Sequence, residues 1–287
     1  MIDLHLHTTA SDGHLSPAQL VARVAAAGIT TMSVTDHDTV AGLAEVAVEA
    51  AARDIRLVPG IEITAVAEAR DVHMLGYFFD PNRAPFLTFL EGQRALRVAR
   101  VREIGARLAR LGMAVDVEAL VATAATRPGT SVGRPQIARA LVSAGHVKSV
   151  QEAFERWLAT GLPAFVPRTG PSPAAVVDVV HAAGGVVSFA HPGVTRRDDL
   201  IRPLADLGLD AIEVYHSDHL PEDVRLYRGL AQRLGVLVSG GSDFHGEDPH
   251  APVEKSRARR STLGAVMLPP DEFAALEGRA AEMRRPS

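Results

Sequence analysis

The chain has 287 residues, a net charge of −4 and no cysteine. Disulfides and thiolate metal sites are therefore excluded, and any bound cation must be held by nitrogen and oxygen donors. The acidic balance argues against the electrostatic footprint that duplex DNA requires, yet a small nucleotide or a short single strand could still sit in a pocket.

The N-terminus, Met1-Ile2-Asp3-Leu4-His5, has no basic stretch followed by an apolar run, so a secretory signal is not expected. No apolar segment is long enough to span a bilayer, and a cytoplasmic protein with no membrane partner is the expectation. Aromatic residues make up 5% of the chain, which leaves the core to Val, Leu, Ile and Ala.

Short apolar runs alternate with helical patterns, predicting an α/β fold with a parallel sheet. Strands are predicted near Ile2–His7, Thr31–Thr35, Arg56–Thr64, Val72–Phe78, Val186–Ala190, Ala211–Tyr215 and Leu237–Gly240. This is one strand short of the usual eight-stranded barrel. Ser16-Pro17-Ala18-Gln19 reads as a helix start with an N-cap, a proline at the first position and a capping-box glutamine. Ser172-Pro173 reads likewise, and glycines such as Gly28, Gly208 and Gly235 close helices before the next strand.

The alternation stops between about Pro81 and Pro167. Phe86 to Leu111 reads as one long helix, followed by shorter ones at Val117–Thr123, Pro135–Ala144 and Val150–Ala159. This defines a helical insertion (83–165) between strands four and five, placed to cover the barrel mouth. The barrel itself comprises 1–82 and 166–250. From Glu247 onward the pattern is weak, and a partly disordered tail (251–287) is predicted.

His5-Leu6-His7 ends the first strand, and alternation along a strand puts both imidazoles on one face. Two converging imidazoles make half of a site for a divalent ion, although two hydrogen-bonded core histidines would look the same. Ligand-type residues recur where strands run out: Asp12, Asp36-His37-Asp38, Glu62, His73, His191, and Asp243 with His245. Independent core histidines would not gather at one edge of a barrel, so the set points to a metal cluster at the mouth. Asp38 reads as a turn or N-cap residue. His14, His146, His181, His219 and His250 read as surface or packing residues.

In order, His5-Leu6-His7 to Asp12-Gly13, Thr35-Asp36-His37-Asp38, Pro59-Gly60-Ile61-Glu62, Ala190-His191-Pro192 and Gly241-Ser242-Asp243-Phe244-His245 resemble the polymerase and histidinol phosphatase (PHP) superfamily. That resemblance implies a distorted seven-stranded β/α barrel with two or three divalent ions. His5, His7, Glu62 and Asp243 would hold one ion, Glu62 would bridge to a second with His73 and His191, and Asp12, His37 and His245 would hold the third. Many members carry histidine where this chain has Asp12. An oxygen donor there weakens the third site or shifts it toward Mn²⁺ or Mg²⁺. Mn²⁺ is the expected cofactor, with Mg²⁺, Zn²⁺ or Fe as alternatives.

A metal pair can acidify a shared water and aim it at phosphorus, and Asp243 would take part in that chemistry as a ligand. His216, just past the sixth strand, is placed either as general acid or as a helix-capping or surface histidine. Ser131-Val132-Gly133-Arg134-Pro135-Gln136 leads into a helix, whose free amides beside Arg134 make a phosphate site; an ordinary capped loop is the alternative. This stretch resembles the 3′,5′-nucleoside bisphosphate phosphatases and 5′-to-3′ oligoribonucleases of the superfamily, in which Gln136 is often His. The implied reaction converts adenosine 3′,5′-bisphosphate to AMP, with Ser131, Gly133, Arg134, Gln136 and His216 contacting substrate.

Four rival readings remain. An exonuclease acting on short RNA could use Arg94, Arg97, Arg100, Arg102, Arg107 and Arg110 of the long helix, but interspersed Glu91 and Glu103 predict a solvated, salt-bridged face instead. Histidinol phosphate is a further possible substrate. An amidohydrolase would want a bridging lysine on a strand, whereas Lys148 and Lys255 lie on none. A non-catalytic metal-binding domain would lack ligands that this chain has.

Overall fold

The computed structural model describes residues 1–126, 131–246 and 262–284. Seven strands form one sheet in sequence order: β1 (Ile2–Leu6), β2 (Thr31–Val34), β3 (Arg56–Ala67), β4 (Arg70–Tyr77), β5 (Val186–Phe189), β6 (Ala211–His216) and β7 (Leu237–Gly241). The sheet curls into a nearly closed barrel. The seam is a bridge between Leu6 and Phe244, with the His7 N–H donating to the Phe244 carbonyl at 3.0 Å.

The expected all-parallel arrangement is wrong at one strand: β4 runs antiparallel to both β3 and β5, while the other pairs are parallel. The reason is local. Only Glu68 and Ala69 separate β3 from β4, too few residues for a crossover, so the chain turns straight back. Both take positive φ, at 48° and 62°.

Helices α1 (Pro17–Ala26), α2 (Leu43–Ala51), α7 (Pro173–Ala182), α8 (Pro192–Thr195), α9 (Ile201–Asp206) and α10 (Pro221–Leu234) lie between the barrel strands. The predicted caps form. Ser16 Oγ accepts from the Gln19 N–H, and Gln19 Oε1 accepts from the Ser16 N–H. Ser172 Oγ accepts from Ala175 N–H. Leu20, Val24, Val176 and Val180 pack with Met32, Ile63 and Phe189 in the main core.

Between β4 and β5 stand α3 (Ala84–Arg110), α4 (Val117–Ala125), α5 (Arg134–Ser143), α6 (Val150–Ala153) and a π-helical turn, Phe154–Leu158. They enclose a core of their own, including Val101, Ile104, Leu108, Ile137, Leu141 and Leu158. Helix α3 spans 27 residues, about 40 Å. Its first turns set Phe86 and Leu90 into the barrel core, and its last turns join the insertion core. The middle of α3 crosses the junction between the two. Arg97 and Arg100 lie there and are buried, which corrects the expectation of a wholly solvated arginine face.

The tail expected to be partly disordered contains a helix that the sequence pattern did not show. Pro270–Met283 forms α11, whose Phe273, Leu276 and Ala280 cover a cluster with Ile2, Leu75 and Val186. Its apolar stripe is short and diluted by charged neighbours, which hid it. The rest of the proposed tail, apart from 262–269 and Arg284, lies outside the described residues, as does His250. Among the described residues no helix is long and apolar enough to cross a membrane.

Candidate metal centre and arginine cage

Glu62 is the hub of the site. Its buried carboxylate lies mid-strand in β3, because β3 runs on past the mouth before turning into β4. Oε2 is 3.2 Å from Nε2 of both His5 and His7 and 3.3 Å from His37 Nδ1. Oε1 is 2.6 Å from His73 Nδ1 and 3.0 Å from His191 Nε2. Asp243 Oδ1 completes one face at 3.3 Å from His5 and 3.2 Å from His7. Asp12 lies across the group, 3.3 Å from His245 Nε2 and 3.7 Å from His37 Nε2. Every metal ligand expected from the sequence thus converges on one mouth.

The donor set suits divalent cations. Four groups of donor atoms lie within 4.8 Å of one another: His5-His7-Glu62-Asp243, His7-Asp12-His37-His245, His37-Glu62-His73 and His5-Glu213-His216. The ring nitrogens of His7 and the Nδ1 atoms of His37 and His73 are buried without a well-aligned hydrogen bond, despite nearby carboxylate oxygens. Lone pairs converging on shared space, rather than on an N–H, is what a cation would satisfy. Burial opposes charge on Glu62 and Asp12, but the surrounding imidazoles hold both carboxyls well below the usual range. Burial pushes the His37 ring down to about 3, leaving it neutral and able to coordinate.

Strain gathers at the same place. Asp38, His191 and Asp243 have φ of 53°, 28° and 55°, unusual for residues with a Cβ. The fold holds two proposed ligands and one neighbour in conformations that the chain would otherwise avoid.

Several residues depart from expectation. Asp36 does not face the cluster: it accepts from Thr8 N–H at 2.8 Å and from the Thr8 and Ser11 hydroxyls at 2.6 Å, pinning the loop that carries Asp12. Asp38 is a turn residue, as expected, and not an N-cap, but its carboxylate has further partners. It accepts from the Thr64 N–H at 2.8 Å and pairs with Arg97 and Arg168. His216 is not a surface residue. It is 2% exposed, its Nε2 lies 3.3 Å from Asp243 Oδ2, and its Nδ1 accepts from Asp218 N–H. A neutral His216 therefore carries its proton on Nε2.

Two further residues, given no site role above, belong to the site. Glu213 is fully buried, with Oε1 2.7 Å from His5 Nδ1 and Oε2 accepting from the His191 N–H at 2.7 Å. Its position in β6, three residues before His216, was the available signal. His219, read as a packing residue, joins two site loops: Nδ1 pairs with the Val214 carbonyl at 2.8 Å and Nε2 accepts from Gly193 N–H at 3.1 Å.

Beside the metal cluster lies a cavity of about 170 Å³, lined in part by Asp12, His37, His73, Ser131, Arg134 and Arg168. Arg97, Arg100, Arg134 and Arg168 crowd around it against the carboxylates of Asp38 and Asp71. Burial first, then neighbouring guanidiniums, push Arg168 down to about 9 and Arg100 to about 10. Arginine does not give up its proton, so the crowding amounts to a demand for an anion. Ser131 Oγ, also lining the cavity, is buried without a partner. Gln136 lines it too, but its polar atoms are engaged: Oε1 accepts from Gly133 N–H at 2.9 Å and Nε2 donates to the Ser11 carbonyl. The Gly133 amide is thereby spent as well.

A closed mouth of imidazoles and carboxylates on a seven-stranded barrel defines a metal-dependent hydrolase. The PHP domain family model matches residues 3–160, and the chain belongs to that family. It is 35% identical over 248 residues to a 5′-3′ exoribonuclease of Haemophilus influenzae, covering 85% of this chain and 89% of the other. It is 33% identical over 249 residues to a 3′,5′-nucleoside bisphosphate phosphatase of Chromobacterium violaceum, covering 85% and 87%. A crystal structure from Bifidobacterium adolescentis, described as a metal-dependent phosphoesterase, superposes with a TM-score of 0.85 at 32% identity, covering 97% and 96% of the two chains. The protein is a metal-dependent phosphoesterase.

Proposed function

We propose that this enzyme removes the 3′-phosphate from nucleoside 3′,5′-bisphosphates, converting adenosine 3′,5′-bisphosphate to AMP in the cytoplasm with Mn²⁺ as its native metal. The observation that carries this reading is the arginine cage, because Arg134 and Arg168 line the same cavity as the metal-facing residues His37 and His73. A substrate with a single phosphate would leave the cage unanswered. One with two phosphates engages both sites.

His5, His7, Glu62 and Asp243 would hold one ion, Glu62 with His73 and His191 a second, and Asp12, His37 and His245 a third. The ions, when bound, acidify water and neutralise the phosphoryl oxygens. Arg134 and Ser131 would hold the 5′-phosphate, with Gly133 and Gln136 shaping the loop. Water oxygen bonds to phosphorus as the bond to the 3′ oxygen breaks, the proton that the water gives up ends on that leaving oxygen, and His216 would steady the oxygen through an Nε2–H hydrogen bond. Glu213 keeps His5 and His191 in place, as carboxylates behind ligating histidines do.

The test is a substrate comparison. Arg134→Ala should raise KM for the bisphosphate far more than for an aryl phosphate, and equal effects on both would refute the assignment. The similarity to an exoribonuclease supports a second reading, 5′-3′ cleavage of short RNA. Turnover of a 5′-phosphorylated dinucleotide against the bisphosphate separates the two.

A further inference from the structure

We propose that Asp71 sets the affinity of the arginine cage by competing with the incoming phosphate, so that product is released once its second phosphate is gone. This rests on the reading that the cage takes the substrate's 5′-phosphate.

Asp71 stands two residues before His73 on β4, and alternation places both on one face of the strand. One strand thus offers an imidazole to the metal cluster and a carboxylate to the cage. Asp71 Oδ2 is 3.2 Å from Arg134 Nη2 and 3.8 Å from Arg100 Nη1, and Oδ1 is 3.4 Å from Arg168 Nε. Its side chain lines the cavity and is 21% exposed, whereas Asp38 is sealed at 0%. Of the two counter-charges, Asp71 is the one that a ligand meets.

A carboxylate among arginines can orient them or occupy them, and the surroundings decide which. Arg134 also donates to the Leu158 carbonyl at 3.3 Å, and its guanidinium lies 5.9 Å from the rings of Phe154 and Phe165. Arg100 donates to the Val166 carbonyl at 2.8 Å and lies over Phe165 at 5.8 Å. Arg168 has Asp38 at 3.7 Å. Arg134 and Arg100 are anchored by these carbonyls without Asp71, so at them its orienting role is redundant. What Asp71 supplies to Arg134 and Arg100 is negative charge on groups that a phosphate would use.

Four guanidiniums against two carboxylates leave a surplus of positive charge suited to a phosphate dianion. Asp71 keeps that surplus from becoming a trap. The substrate is held at both ends and outcompetes the carboxylate. The product is held at one end only, and Asp71 reclaims the arginines.

AMP binding to the full-length, metal-loaded protein, measured by calorimetry, tests this beside KM for the bisphosphate. Asp71→Asn should tighten AMP by roughly tenfold and lower KM, since an amide cannot neutralise guanidinium. Asp71→Ser, which removes the charge with a smaller side chain, should shift both in the same direction and serves if the first variant does not fold. Weaker or unchanged AMP binding in the folded variants, with Arg134→Ala still weakening it, would overturn the role of Asp71 alone. AMP binding indifferent to Arg134→Ala would remove the cage as the 5′-phosphate site and take both readings with it.

Discussion

Glu62 Oε1 lies 2.6 Å from His73 Nδ1, although the two residues are offset by two positions in the antiparallel β3–β4 ladder, where Glu62 faces Leu75 and Thr64 faces His73. The contact exists because β4 runs backwards. Its N-terminal end, not its C-terminal end, reaches the mouth, and His73 meets Oε1 beside His191. Glu62 is thereby shared between two sets of imidazoles. Glu62→Ala should leave activity at background and strip bound metal. Chelated wild type should match it, and added Mn²⁺ should rescue only the wild type; elemental analysis and turnover read the outcome.

Glu213→Gln tests the carboxylate behind the ligands. A glutamine has one acceptor oxygen, and its amide would face either the His5 ring or the His191 N–H, setting donor against donor. Metal affinity should fall by about 10–100-fold, read by titration of the metal-free protein.

His216→Ala should lower kcat by roughly a hundredfold at unchanged metal content, because the leaving oxygen loses its Nε2–H donor. Loss of metal instead would mark His216 as a ligand, a role that its grouping with His5 and Glu213 allows.

Gly193→Ala probes the link between the two site loops. An added Cβ would sit 2.7 Å from His219 Cδ2 and 2.9 Å from its Nε2, the nitrogen that accepts the Gly193 N–H. Overpacking should cost about 2 kcal/mol in thermal or denaturant unfolding and displace His191, lowering turnover. Stability and rate both at wild-type values would mean that the loop yields freely.

Helix α11 is held at the far end of the barrel by Asp210, which accepts from Arg279 Nε at 2.8 Å and the Val187 N–H at 2.9 Å, with His181 Nε2 at 2.7 Å. Burial raises the carboxyl's pKa, but these partners outweigh it and leave the pKa below 3.8. A folded-state value depressed in this way contributes stability above the unfolded value, and that stability is lost as pH falls through the folded one. Asp210→Asn should cost about 2 kcal/mol at pH 7. The difference from wild type should shrink as the pH falls below about 4, measured by denaturant unfolding across pH.

Much was legible along the chain because it depends on neighbours in sequence. His5 and His7 share a face through strand alternation, and Ser16 and Ser172 announce helices by their own hydrogen bonds. The ordered ligand motifs suffice to mark a metal cluster. The insertion shows itself where strand-like runs cease. One missed feature is local, and the others depend on residues far apart in the chain. The two-residue turn at Glu68 and Ala69 reverses β4, yet neither residue is a usual turn former. Arg97 and Arg100 look solvated by composition, and only the junction between two cores, crossed by α3, buries them. Asp36 and Asp38 stand either side of His37, and only folding shows one tied to Thr8 and Ser11 and the other to arginines more than fifty residues away. Local pattern determines which atoms can bind a metal, since donor chemistry belongs to the residue. Where charge is buried, and which carboxylate answers it, depends on long-range packing, and that was decided by the tertiary structure alone.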